Sequence, residues 1–337
     1  MLEIRSYTEA DRERWDDYVL RSPVAHFGQL TAWRDATERA YGCRAHYWLA
    51  VEGGRARGVL PLFERPGRTL FSAPGGLIAD DASVAASLLA PAQERVRNQH
   101  LDYLELRDQR TAWPELVTNS EHCTMVLELA RDPETQWQGF DAKLRNQIRK
   151  GEKAGFEVRW GRDQVADFHR VMLESMRDLG TPIRGAGYYR LVLERLGEAA
   201  DLLVIRRTGE PAGAMLTVGL GETWSDPWAS SLRRFFADCP NQVLYWHALQ
   251  AAIARGMKRF DMGRSQWESG TFRFKQQWGA RPVPLHYQYV LGRAQAVPTL
   301  EAQKERYALA VKLWQRLPLW AAAALGEPLK RRFPEVL

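Results

Sequence analysis

The chain has 337 residues, 45% of them hydrophobic and 26% charged, with 47 Lys plus Arg against 41 Asp plus Glu and a formal charge of +6. That length is generous for one domain and comfortable for two, and the composition excludes a disordered, collagen-like or disulfide-stapled chain. The modest positive excess suits a phosphate-bearing partner without requiring one.

Cys43, Cys123 and Cys239 lie far apart and form no CxxC pair. A sparse, odd set points to a reducing compartment and away from structural zinc. The seven histidines show no HxxH or HExxH spacing, so no metal site is expected. The opening MLEIRSYTEADRERW is charged within five residues and reads as no signal peptide. The apolar stretch Leu319–Leu325 is far below the roughly 20 residues that span a bilayer. A cytoplasmic protein is expected.

In chain order, Ala45–Val51 reads as a strand, EGGR as a turn, ARGVLPLFE as a second strand and TLFSAPGG as a third ending in glycines. A helical stretch follows from about Asp81 to Asn98, with Val84, Leu88, Leu89, Ala92 and Val96 on one side and Pro91 expected to kink or break it. Leu101–Arg107 closes as a buried strand, WPEL is a short helix candidate and CTMVLEL one more strand. ARDPET, around 131–135, reads as a linker. The second half repeats the order. DLLVIRR, PAGAMLTVGL and ETWSDPWASS are strands, Asn241–Arg255 a helix ending at Gly256, and Lys258–Arg264 the closing strand. TFRFKQQWG then reads as a short helix and VPLHYQYVL as an alternating strand. Gly54 and Gly209 are 155 apart, and Leu106 and Met262 are 156 apart. An offset held over more than fifty residues marks a tandem duplication.

Each half is an α/β unit with a mixed sheet flanked by helices, and its element order resembles the acetyltransferase fold of the GNAT type. The expected division is 1–135 and 136–295 for two GNAT-like domains, with 296–337 as a helical basic and aromatic tail. The coenzyme A-binding members of that fold carry a glycine-rich turn before the central helix, where backbone N–H groups cradle a pyrophosphate. The segments in that place here are SAPGGLIADD and RRFFADCPNQ, and the second has no glycine. Coenzyme A binding in that manner is therefore not expected.

Gly263-Arg264-Ser265 ends the closing strand of the second half, where ligands of open α/β sheets bind. Phe274 and Trp278 lie at i, i+4 on the next helix, and Lys275 points to another face. A lysine held beside aromatic rings could stabilise an oxyanion in acyl transfer; the plainer alternative is rings in the core and a solvated lysine. Asp226 and Glu268 are the nearest acids, read either as proton acceptors or as hydrogen-bonded structure. Cys239 reads as a small buried filler rather than a nucleophile. Lys143, Arg145, Arg149, Lys150 and Lys153 form a basic run that could meet phosphates or simply face solvent. In the tail, Tyr307, Val311 and Trp314 share a helix face, with Lys304, Lys312 and Arg316 elsewhere and a terminal basic cluster. Packing on the protein's own surface and peripheral contact with the inner face of a membrane are the two readings of it.

PWASSLRRFFADCPNQVLYW followed by FDMGRSQWESGTFRFKQQWGA resembles the Fem-type (FemABX-like) aminoacyltransferases, and is most similar to the branch found with exosortase (PEP-CTERM) and exopolysaccharide export systems. The runs at Arg145–Lys150 and Arg177–Pro182, and LPLF, PGGLIAD and YLELR in the first half, look similar too, so the likeness covers roughly residues 25–292. It implies transfer of an amino acid from its tRNA ester to an amine on a cell-envelope or polysaccharide precursor, with no bound cofactor and aminoacyl-tRNA as co-substrate. Phe274 and Lys275 match the Phe-Lys pair that sits against the tRNA acceptor end and the reacting carbonyl. Lys275 is expected to be partly accessible in a ligand cleft whose second-domain wall carries Trp228, Ser230, Tyr245, Arg264 and Ser265, with Trp278 beside it. Arg145, Arg149 and Lys150 would meet phosphates. Two alternatives stand beside this reading: an acyl-coenzyme A N-acyltransferase, and a catalytically silent GNAT-like binding module in polysaccharide assembly.

Overall fold

A computed structural model describes residues 1–65, 68–297 and 300–332, with the side chains of Tyr41, 300–306 and 332 left aside. The chain runs β1 (Glu3–Ser6), α1 (Arg12–Arg21), α2 (Thr31–Tyr41), β2 (Arg44–Glu52), β3 (Arg55–Arg65), β4 (Thr69–Ser72), β5 (Ile78–Ala79), α3 (Ala82–Asn98), β6 (Tyr103–Gln109) and β7 (Val117–Glu128). It continues with α4 (Pro133–Gln138), α5 (Ala142–Lys153), β8 (Glu157–Trp160), α6 (Val165–Leu179), α7 (Ala186–Leu196), β9 (Ala200–Arg207), β10 (Glu210–Leu220), β11 (Thr223–Ser231) and α8 (Pro240–Ala254). Last come β12 (Arg259–Gln266), α9 (Gly270–Gln277), β13 (Arg281–Leu291), α10 (Leu300–Gln315) and α11 (Leu319–Arg332).

The duplication is visible in the strand order. β2, β3 and β4 pair antiparallel in sequence, and β4 then runs parallel to β6 on the far side of α3. β9, β10 and β11 do the same, with β11 parallel to β12 on the far side of α8. β1 on β2 and β8 on β9 extend the correspondence at the opposite edge. The reason for one close contact recurs as well. Added Cβ atoms at Gly58 on β3 and Gly213 on β10 would stand 2.7 Å from Leu88 Cδ1 of α3 and 2.8 Å from Leu244 Cδ1 of α8. The two glycines are again 155 residues apart, and each lets the central helix settle onto its sheet.

Two compact units are present: Met1–His122 with Pro284–Glu305, and Cys123–Val283 with Arg306–Leu337. The halves drawn at 135 and 295 describe the repeat rather than these units. In the first unit β13 lies beside β6, with His286 opposite Gln109 and Leu291 opposite Tyr103. Its anchor is Gln288, fully buried. The Gln288 amide oxygen accepts from Gln109 Nε2 and Trp113 N, both at 3.0 Å, and its Nε2 donates to the Trp113 carbonyl and Thr118 Oγ1, both at 2.9 Å. In the second unit Leu129 N donates to the Lys258 carbonyl at 2.8 Å, and β7 is neighbour to β12.

Three local expectations need correction. α3 is one helix through Pro91, held across that point by the buried row Val84, Leu88, Ala92 and Val96. WPEL is a turn, with Leu116 N donating to the Trp113 carbonyl, because Gln288 takes up the Trp113 peptide groups. ARDPET starts a helix: the Asp132 carboxylate accepts from Thr135 N at 2.7 Å and Pro133 takes the first helical position, a standard N-terminus.

Gln288→Leu should destabilise the protein by about 2–4 kcal/mol, since buried donors and acceptors on Gln109 and Trp113 lose their partners. Urea unfolding checks this, and an unchanged midpoint would show that β13 is held by its apolar residues alone.

Candidate active site

The site is built where β11 and β12 part. Their parallel pairing runs from Thr223↔Arg259 to Ser225↔Asp261 and stops, while β11 continues to Ser231 and β12 to Gln266. On the other side of β11, Ser225 pairs with Val218 and Trp228 with Leu216. Asp226 and Pro227 therefore face the single residue Thr217. This is a β-bulge, the one place in an interior strand where a residue without an N–H does little harm and where a side chain is re-aimed. Gly263 on β12 has φ +74°, which bends that strand in turn.

Lys275 arrives from α9. The Ser269 hydroxyl caps the helix by accepting from Phe272 N at 3.2 Å, and Gly279 at φ +87° follows its end. The Lys275 side chain turns back onto β12, and Nζ donates to the carbonyls of Gly263 at 2.9 Å and Arg264 at 3.0 Å. An ammonium has three N–H donors, so one is left unspent. A Cβ added at Gly263 would lie 3.5 Å from Asp226 Oδ1 and 4.0 Å from Lys275 Nζ, so acid and cation both border this glycine. Nearby, Asp261 Oδ1 accepts from Gly263 N at 3.0 Å and from the Thr124 hydroxyl.

Asp226 is 5% exposed, and neither carboxylate oxygen has a hydrogen-bond partner of regular geometry. Burial pushes its pKa up to about 7, against the lowering effect of Lys275 and of the Tyr245 hydroxyl that faces it; Asp261 pushes further upward. Lys275 is 7% exposed, and burial lowers its pKa, opposed by the negative charges of Asp226 and Asp261. Burial and the neighbouring Asp226 raise Tyr245 well above the usual phenol. A buried acid that titrates near neutrality beside a buried cation with a donor to spare is an arrangement suited to acid-base and oxyanion chemistry.

The other residues singled out in the sequence divide into three groups. Phe274 and Tyr245 join Lys275 here: Phe274 is half-buried, with its ring 5.3 Å from Tyr245. Arg264 contributes its carbonyl to Lys275, and Ser265 is buried with an unpartnered hydroxyl and a carbonyl facing Cys123 Sγ at 3.8 Å. Trp278 does not face a ligand. It is 1% exposed and packs on Phe140 and Tyr245, because the i, i+4 pair on α9 turns toward the core. Lys275 itself is more buried than the partial accessibility expected, since β12 carbonyls draw it inward. Trp228 and Ser230 belong to a different neighbourhood. Trp228 packs edge-on against Tyr188 and Tyr189 of α7, and the Ser230 hydroxyl meets Ser175 of α6 at 2.5 Å.

Arg149 and Lys150 are exposed on α5 and Arg145 is half-buried there; the Arg149 guanidinium lies 5.3 Å over Trp137. Of the two acids offered equally by the sequence, Glu268 is exposed and outside the cluster, whereas Asp226 is buried within it. The Asp-Pro pair inside a strand was the signal for it. No group of metal-ligating side chains occurs among the described residues.

Because the folded protein holds Asp226 protonated to higher pH than the unfolded chain does, the stability this group contributes is present at low pH and lost as pH rises from about 4 through about 7. Asp226→Asn, which cannot ionise, should match the parent near pH 3 and exceed it by a few kcal/mol at pH 8. Thermal melts across that range test this; parallel curves for the two proteins would place the acid in a solvated setting.

Comparison with known proteins follows the same outline. Residues 138–276 match the family model for the acetyltransferase (GNAT) domain. The crystal structure of FemX superposes with a TM-score of 0.70 at 15% identity, covering 92% of this chain and 100% of that one. A tandem GNAT protein from the clavulanic acid biosynthesis pathway gives 0.60 at 14% identity, over 89% and 100% of the two chains. The C-terminal domain of a putative lysylphosphatidylglycerol synthetase from Agrobacterium fabrum gives 0.56 at 13% identity, over 88% and 96%. A search among curated proteins gave no match. The chain thus has the mixed α/β, tandem GNAT-like fold, with the match to the acetyltransferase (GNAT) family model confined to residues 138–276.

Proposed function

We propose that the protein is an N-acyltransferase that moves an aminoacyl group from aminoacyl-tRNA to an amine of a cell-envelope or exopolysaccharide precursor, working in the cytoplasm as the Fem-type resemblance implies. The observation that carries this reading is the Lys275 ammonium, fixed by two carbonyls with one donor to spare, opposite the buried carboxyl of Asp226. The acceptor nitrogen attacks the ester carbonyl carbon and a C–N bond forms. The carbonyl oxygen takes the negative charge, and the third Lys275 N–H meets it. Asp226 in its carboxylate form accepts the proton released by the nitrogen. It returns that proton to the ribose oxygen as the ester C–O bond breaks, so no covalent enzyme intermediate is needed.

The choice of donor is supported by α5. A Cβ on Gly151 would lie 3.0 Å from the Cys239 carbonyl and 2.5 Å from Val243 Cγ2, so α5 lies against the start of α8, where a pyrophosphate turn would be needed. No glycine occurs between Leu232 and Asn241 to shape such a turn. The same helix offers Arg145, Arg149 and Lys150, which suit the spaced phosphates of an RNA acceptor end.

Lys275→Ala should lose about a hundredfold to a thousandfold in transfer from radiolabelled aminoacyl-tRNA to an envelope extract. It should also melt earlier, because two partly buried carbonyls lose their donor. Full transfer by this variant would remove Lys275 from the mechanism. Thermal shifts decide the donor. A rise with a charged RNA mimic and none with coenzyme A supports the reading, the reverse favours an acyl-coenzyme A enzyme, and no response to either marks a silent binding module.

A further inference from the structure

The helices α10 and α11 are fastened to the second unit along one side. Trp314, Ala321 and Ala322 are buried, and Val311 packs on Gly180. Arg177 donates to the Leu317 carbonyl at 2.8 Å, Gln315 donates to the Asp178 carbonyl at 3.1 Å, and Glu327 accepts from Gly185 N at 2.6 Å. Packing on the protein's own surface, one of the two readings of the tail, thus accounts for one face. Lys304 and residues 333–337 lie outside the described side chains.

The outward face has its own pattern. Leu309, Lys312 and Leu313 fall at i, i+3 and i+4 on α10, and Arg316 follows just past its end. Leu309 is 70% exposed, Leu313 57% and Trp320, at the start of α11, 75%. Together with Leu325 they supply four of the ten large exposed apolar side chains among the described residues, within a span of 17. Scattered surface leucines need no explanation, but a concentration of this kind does. The charge that follows Arg306 is mostly positive. Between 307 and 332 the sequence holds five cations and one acid, Glu327, which is already bonded to Gly185 and Arg331. Lys312 and Arg316 are exposed and have no ion pair among the described residues.

We infer that this face rests on an anionic phospholipid surface, with Leu309, Leu313 and Trp320 in the headgroup boundary and Lys312 and Arg316 against lipid phosphates. Exposed Trp and Leu interleaved with Lys and Arg on a helix lying flat is the chemistry of that interface. No helix among the described residues is long and apolar enough to cross a membrane, so the contact is peripheral. A second copy of the chain fits less well, because a twofold contact would set Lys312 and Arg316 against their own copies. The inference does not depend on the acyl-transfer reading.

Co-sedimentation of the full chain with vesicles tests it. Phosphatidylcholine vesicles with roughly one-third phosphatidylglycerol should pellet the protein, and pure phosphatidylcholine vesicles should not. Two folded double variants, L313Q/W320S and K312E/R316E, should each bind about tenfold more weakly, with circular dichroism confirming their helix content. No pelleting, equal pelleting on neutral vesicles or unchanged binding by both variants would overturn the inference. So would a dimer of the parent chain, seen by analytical ultracentrifugation, that either variant dissolves.

Discussion

Everything at the site depends on placing a lysine ammonium and an aspartic acid inside the protein without letting them close on each other. Two opposite charges buried at contact distance would neutralise one another and leave nothing for a substrate. Here the bulge at Asp226-Pro227 and the left-handed Gly263 pull β11 and β12 apart after three residue pairs. The ammonium is then satisfied by main-chain carbonyls rather than by the carboxylate. α9 is short, capped at Ser269 and followed by Gly279, and it delivers Lys275 from that direction, while the rings of Tyr245, Phe274 and Trp278 pack on one another beside it.

The first repeat shows what happens when the same position is allowed to close. β4 and β6 also part after three pairs, the last being Phe71↔Glu105. There, however, Arg107 donates to Glu105 at 2.6 Å and stacks 4.5 Å from the Phe71 ring, while the Tyr289 hydroxyl donates to the same carboxylate at 2.9 Å. The glycine turn at Gly75-Gly76 is filled by the protein's own glutamines: Gln29 donates to the Gly76 carbonyl and Gln109 accepts from Leu77 N. Acid, cation and turn are all committed. Duplication has thus left one structural copy and one with unspent hydrogen-bonding capacity, which is why the chemistry is assigned to the second.

The repeat, the buried row of α3 and the short helix carrying Lys275 were legible because apolar periodicity and a constant offset depend only on local spacing. The depth of Lys275 was not, because a long side chain can double back onto a strand that periodicity does not see. Phe274 and Trp278 were grouped correctly as neighbours, but which of them would face a ligand depends on the packing of Phe140 and Tyr245 around α9. Trp228 and Ser230 were expected on the cleft wall, and the bulge at Asp226 changes the register of everything after it. Alternation in VPLHYQYVL marked a strand but carried no information about its neighbour, which Gln288 decides through four hydrogen bonds.

That membership of β13 has a consequence for how the protein is made. The first unit draws on residues 1–122 and on 284–305, so the ribosome finishes most of it long before supplying the strand that pairs with β6. At about 5–20 residues per second, the interval between His122 and Pro284 lasts roughly 10–30 s. Throughout it the edge of β6 and the Gln109 Nε2 donor lack the partners that β13 brings, and a nascent chain with an open strand edge is exposed to mispairing. Native assembly of the first unit is therefore a late event, timed by the synthesis of the second.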